Sequence, residues 1–228
     1  MKFTAAGDII IQRRIQEDFV GFEELAPFIK QGDARFFNLE TTLNYEGDTC
    51  SAQLSGGTYI RTNPEVLDDL ENFGFNMTSF NNNHAMDFSM DGFLQTLDYV
   101  NQSNFVHSGA GHNLAEASAP KYLETNAGRV ALIAVNTNFS PDMMAGEQTP
   151  RVPGRPGING LRLDSYVELP KEDLEVIKRI AKETNINASR EITRKEGYYP
   201  ELADNEAEFG EMHFFEGEKS RFVRKINK

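Results

Sequence analysis

The sequence predicts an α/β fold with a mainly parallel sheet, and three observations predict it. Residues 1 to about 140 alternate short strand-like and helix-like runs, the pattern of consecutive βαβ units. The run Val130-Ala131-Leu132-Ile133-Ala134-Val135 is continuously apolar, as expected of a strand covered on both faces. Helix punctuation falls between the strand-like runs. Asn63 caps a helix with Pro64 at its first position, and Gly74 ends it.

Each element follows in order. Residues 2–6 read as the first strand, ending at Gly7-Asp8. Phe22, Leu25, Phe28 and Ile29 mark a helix. Residues 35–39 form the second strand, closed by Glu40; residues 47–57, polar, Gly-rich and carrying Cys50, read as a loop. In the helix before Gly74, Val66, Leu67, Leu70 and Phe73 share one face. Residues 75–80 give the third strand. A helix then runs from a Ser89 cap to near Val100, with Phe93, Leu94, Leu97 and Val100 inward. Strands at 104–107 and 129–135 flank a capping box of Asn113 and Glu116.

The character changes after Pro141. Pro150, Pro153 and Pro156 interleave with Gly154, Gly157 and Gly160, a loop signature. A helix from about Pro170 to Thr184 carries Leu174, Ile177 and Ile180/Ala181 on one face. Residues 186–210 are weakly patterned, and 212–215 with 221–226 predict a terminal hairpin. The expected organisation is a main body over 1–150 and a loop, helix and hairpin over 151–228, an excursion of the same domain.

Composition narrows the function. A net charge of −12 disfavours nucleic acid or an anionic membrane surface as a general partner. It leaves an anionic substrate open, because a bound cation sets the local sign of a site. The single Cys50 excludes an intrachain disulfide framework. No apolar run is long enough to span a bilayer, and the strand-like start leaves no room for a signal peptide. The chain as written therefore reads as cytoplasmic, or as extracytoplasmic if an export signal has been removed. No Walker A sequence, G-x-G-x-x-G fingerprint, G-x-S-x-G elbow or Cys-x-x-Cys pair is present.

Three strand ends carry the chemistry: Asp8, Glu40, and Asn81-Asn82-Asn83-His84 with Asp87. Open α/β sheets place functional groups at such ends. Carboxylate, amide and imidazole together suit a borderline divalent ion such as Mn, Zn or Fe. Each residue also has a plainer use. Asp8 serves equally as a turn former, Glu40 as a solvated charge, and the Asn run as a tight turn. His84 can ligate a metal or donate a proton, and Asp87 either orients it or caps the next helix. The glycines between His107 and His112 fit an anion or a tight loop. Arg151, Arg155 and Arg162 fit an anionic substrate or a solvated face, and His213 reads as structural or exposed.

The motifs Ala6-Gly7-Asp8-Ile9, Phe37-Asn38-Leu39-Glu40, Asn82-Asn83-His84-Ala85 followed by Asp87 and Gly92, Gly109-Ala110-Gly111-His112-Asn113 with Glu116-Ala117 and Pro120, and Gly154-Arg155-Pro156-Gly157-Ile158-Asn159 cover most of residues 1–160. In order and spacing they resemble the bacterial capsule-synthesis proteins of the CapA type, linked to poly-γ-glutamate capsules. The domain of that family is similar to the calcineurin-like metallophosphoesterases. The resemblance implies a four-layer α/β/β/α sandwich and a metal centre at Asp8, Glu40, Asn83 and His84. It further implies a role in making or exporting an anionic polymer. Two functions follow: a metal-dependent hydrolase of a phosphoester, or less directly of a polyglutamyl amide, and a non-catalytic component that binds or hands on the polymer. Ile10 stands where many dinuclear phosphoesterases carry His, and no late His motif matches the family, His213 included. The chain ending at Lys228 therefore reads as the N-terminal portion of a longer protein, with poor turnover on its own.

Overall fold

The computed structural model describes residues 1–15, 19–48, 50–53 and 58–226. Thr49 and residues 54–57 of the expected 47–57 loop lie outside the described residues, as does Lys228. The chain divides into two compact units, Met1–Leu161 and Arg162–Lys228. The Pro/Gly-rich segment folds with the first unit.

The first unit is built from β1 (Phe3–Ile9), α1 (Phe22–Ile29), β2 (Ala34–Leu39), β3 (Thr42–Leu43), β4 (Arg61–Thr62), α2 (Val66–Phe73), β5 (Met77–Ser79), α3 (Ser89–Gln102) and β6 (Val106–Ser108). It continues with β7 (Ala110–Gly111), α4 (Leu114–Ser118), β8 (Lys121–Thr125), β9 (Gly128–Leu132) and β10 (Gly157–Ile158). The main sheet has the order β1-β2-β5-β6, and all its pairings are parallel. A mixed α/β fold is thus observed. Helices α1, α2 and α3 are the crossovers between successive sheet strands.

The abundant phenylalanines form the core. Phe37, Phe80 and Phe93 are fully buried. Phe37 packs edge-on to Phe105 at 5.1 Å, and Phe80 stacks on Phe93 at 5.4 Å. Gly74 closes α2 in a left-handed conformation, φ 99°, which glycine adopts without penalty. The start of α2 differs from expectation: Asn63 and Pro64 lie in a preceding turn that accepts bonds from Val66 and Leu67. Ser89 does not cap α3 either. Phe88 holds that position with no side-chain bond, and Ser89 itself has φ 62°. The expected box at α4 is present, with Asn113 Oδ1 accepting from Glu116 N and Glu116 Oε2 from His112 N.

The run 130–135 departs most from expectation. β9 pairs antiparallel with β8 in a separate two-stranded sheet, and Ile133 and Val135 are 63% and 50% exposed. The two-residue turn Asn126-Ala127 makes this local pairing the cheapest loop closure. Only residues 130–132 of the apolar run lie in a strand, and that strand is one half of a hairpin rather than a central parallel strand.

The second unit contains β11 (Leu163–Leu169), α5 (Lys171–Thr184), α6 (Ala188–Lys195), β12 (Glu206–Phe209), β13 (Met212–Glu216) and β14 (Arg221–Ile226). Its sheet order is β12-β13-β11-β14. The two terminal strands exist, but they do not form a hairpin with each other. β11 lies between them, parallel to β13 and antiparallel to β14. Leu174 of α5 packs with Ala207 and Phe214 in a small separate core.

Candidate functional site

Asp8, Glu40 and the Asn81–Asp87 turn emerge at the carboxyl ends of the neighbouring strands β1, β2 and β5. The register of β1 on β2 shifts between Ala5 and Asp8. This bulge re-aims the strand end and sets Asp8 opposite Asn38. Asn38 Nδ2 then donates to Asp8 Oδ1 at 2.8 Å, and Asn38 Oδ1 accepts from Ser79 Oγ at 2.7 Å. Asn38, which sequence reasoning read only as part of a motif, thus ties three strands together beneath the site.

Glu40 follows β2 and is nearly buried, while Asp8 is exposed. Burial, then a hydrogen bond to the neighbouring Asp8 carboxyl and its charge, hold the Glu40 carboxyl above the usual carboxylate range. Glu40 Oε1 lies 3.8 Å from His84 Nε2. His84 Nδ1 in turn lies 2.8 Å from Asp87 Oδ2, and Asp87 is fully buried. Its Oδ2 also accepts the Ile60 backbone N–H at 2.8 Å. An acceptor at this position favours the proton on Nδ1 and turns the Nε2 lone pair toward Glu40. Helix α3 carries no side-chain cap, so the contact made by Asp87 is to the imidazole.

The turn holding His84 is itself fixed. Asn82 Nδ2 donates to Leu39 O at 2.7 Å, and Asn82 Oδ1 accepts from His84 N at 3.0 Å. Asn83 is half-buried on the same turn. Asp8, Glu40, His84 and Asp87 therefore form a chain of neighbours with Glu40 and His84 in the middle. Among the described residues, no group of three or more His, Cys, Asp and Glu side chains is arranged to hold a metal ion. The carboxylates and the imidazole stand in line here, with Asn83 on the same turn.

The other candidates make other contacts. His107 Nε2 contacts Asn101 Oδ1, and His112 belongs to the α4 cap. Arg155 bonds the carbonyls of Met144 and Pro141, clamping its own loop. Arg162 and His213 belong to the second unit, where His213 faces Glu208 at 3.3 Å. Arg151 contributes its backbone N–H to a turn at Thr149. Among the described residues, no helix is long and apolar enough to cross a membrane.

Comparison with known proteins matches the chain to one family. The family model "Bacterial capsule synthesis protein PGA_cap" matches residues 2–189. "Uncharacterized protein y4sH" of Sinorhizobium fredii is 35% identical over 182 residues, covering 78% of this chain and 39% of that protein. "PGA biosynthesis protein CapA" of Bacillus subtilis is 26% identical over 154 residues, covering 64% of this chain and 40% of that protein. The chain thus spans about two fifths of the length of the curated relatives it matches. With the family model spanning most of its length, the chain belongs to the bacterial capsule synthesis family PGA_cap.

Proposed function

We propose that this capsule-synthesis protein is a metal-dependent, phosphoesterase-like hydrolase acting in poly-γ-glutamate biosynthesis, on a four-layer α/β/β/α scaffold of the metallophosphoesterase type. The observation that carries the reading is the run Asp8, Glu40, His84, Asp87 at adjacent parallel strand ends. Asp8, Glu40 and Asn83 would hold a Mn, Zn or Fe ion, the cation relieving the crowding of the Glu40 carboxyl against Asp8. When bound, the ion supplies Lewis acidity toward a phosphoryl oxygen. His84 would handle the proton: with Nδ1–H held by Asp87, its Nε2 can take up a proton and, once protonated, pass it to the leaving oxygen. Asn38 keeps Asp8 pointed at the site.

The same residues support a second reading, a non-catalytic component that binds or hands on the polymer. What favours it is that these side chains form a string rather than a closed ligand set. Calorimetric titration with Mn²⁺, alongside hydrolysis of p-nitrophenyl phosphate and its diester, separates the two. The hydrolase reading expects Asp8→Asn to weaken Mn²⁺ binding about tenfold or more. It expects His84→Ala to keep binding and lose turnover. Mn²⁺ binding equal in wild type and Asp8→Asn would overturn the site. Metal binding without turnover by wild type would favour the second reading.

A further inference from the structure

The loop after β1 is held down by one acid. Asp69 of α2, itself buried, accepts from Arg14 Nε at 2.8 Å, from Arg14 Nη2 at 2.6 Å and from the Ile15 backbone N–H at 2.9 Å. Arg14 spends its charge there. Arg13 beside it is exposed and has no hydrogen-bond or ion-pair partner among the described residues. Yet Arg13 lines a cleft of about 600 Å³ whose walls include Ile10, Ile11, Ile15 and Phe19. In a chain of net charge −12, an exposed guanidinium over apolar walls, with no ion-pair partner among the described residues, is a feature to be explained.

A second cavity of about 400 Å³ adjoins it, with Ile11, Ile15 and Phe19 in common. It follows β1 under α1, over Ala6, Leu25, Phe28 and Phe73, and is almost wholly apolar. Leu25 and Phe28 remain 47% and 60% exposed, although α1 directs other residues into the core. Both volumes lie in the ordinary range for ligand sites, roughly 300–1,000 Å³.

We infer that these adjoining cavities bind a single amphiphile: the phosphate monoester of a long-chain alcohol. Its head group pairs with Arg13, and its chain lies in the trough between β1 and α1. A guanidinium matches a phosphate in charge and in its paired donors. The apolar trough gains by taking methylene groups out of water. Arg13 stands five residues past Asp8, in the segment that follows β1, the strand that carries Asp8 at its end. The inference deepens the hydrolase reading by naming a substrate class, and rests on that reading only for what happens to the head group.

The test is calorimetric titration with monomeric decyl phosphate, below its micelle-forming concentration, in EDTA. Decanol, inorganic phosphate and vesicles containing anionic phospholipid serve as the other arms. The expected result is saturable binding to wild type and to Asp8→Asn, at least about tenfold tighter than decanol or inorganic phosphate. Arg13→Gln should weaken it about tenfold, the loss of a charge-assisted bond. Leu25→Gln should weaken decyl phosphate severalfold and leave butyl phosphate unchanged. Both positions are exposed, and far-UV circular dichroism confirms the fold of each variant. Binding unaltered in both variants, decanol binding as well as decyl phosphate, or binding to vesicles without binding of the monomer would each overturn the inference. Tight binding in EDTA with no turnover of decyl phosphate when Mn²⁺ is restored would leave the cleft assigned and the hydrolase reading refuted.

Discussion

Asp87→Ala tests the architecture of the site directly. The Asp87 side chain is fully buried and its Oδ2 serves two donors, Ile60 N and His84 Nδ1, each at 2.8 Å. Truncation strands both donors away from water. A buried donor left without its acceptor costs about 1–3 kcal/mol, so the variant should lose about 2–6 kcal/mol of stability. Asp87→Asn keeps one oxygen, whose two lone pairs can serve both donors, and should lose less. The assay is urea unfolding followed by far-UV circular dichroism, with the denaturant slope checked for constancy. A double-mutant cycle with His84→Ala isolates the contact, and residues in direct contact should couple by roughly 0.5–3 kcal/mol. An Asp87→Ala variant within about 0.5 kcal/mol of wild type, or a coupling of zero with His84→Ala, would refute the reasoning. In either case the imidazole would not owe its orientation to Asp87.

The strand ends were legible because each is marked twice, by an apolar run and by the polar residue that must leave it. Phe36-Phe37-Asn38-Leu39 forces Glu40 out of the core at a definite point, and residues 75–80 do the same for the Asn-His turn. Asn38 could not be read as a tie beneath Asp8, because its contact depends on the bulge that shifts β1 against β2. Register is a long-range property. The run 130–135 shows the opposite failure: continuous apolarity signals a buried strand and an exposed hairpin alike, and only the choice of pairing partner distinguishes them. β11 went unread because Asp164-Ser165 interrupts its alternation, although it is central in its sheet. Helix α6 buries no apolar residue. It is tied down by ion pairs from Arg190 and Arg194 to Glu208, which no hydrophobic period announces. Arg13 carries no motif, and that it has no ion-pair partner among the described residues is visible only once Arg14 is seen on Asp69.

Three further predictions follow from these contacts. Glu208→Ala removes a nearly buried carboxylate that faces Arg190, Arg194 and His213, with the Arg194 side chain itself 8% exposed. Leaving that guanidinium buried without its partner should cost about 3–5 kcal/mol, read as faster limited proteolysis near residues 188–195; an unchanged cleavage rate would refute it. Gly109→Ala places a Cβ 2.5 Å from Asn81 Cβ at φ +100°, so both sterics and backbone oppose it. The expected cost exceeds about 1 kcal/mol, seen as a lower Tm. His107 yields a pH dependence. Burial, and then Lys121, push its imidazole down to about 4 from 6.5. Between those values the unfolded chain takes up a proton that the folded chain refuses. Its contribution to stability is therefore complete above about pH 6.5 and is lost as pH falls toward 4. At about pH 5 the loss from this group alone should be about 2 kcal/mol. Other groups titrate alike in a His107→Gln variant, so the measurement is the difference between the two proteins in their stability change from about pH 7.5 to about pH 5 by urea unfolding. Wild type should lose about 2 kcal/mol more than the variant over that interval. Equal losses would mean that His107 is protonated in the folded state at about pH 5, and that the strand around it opens to water there.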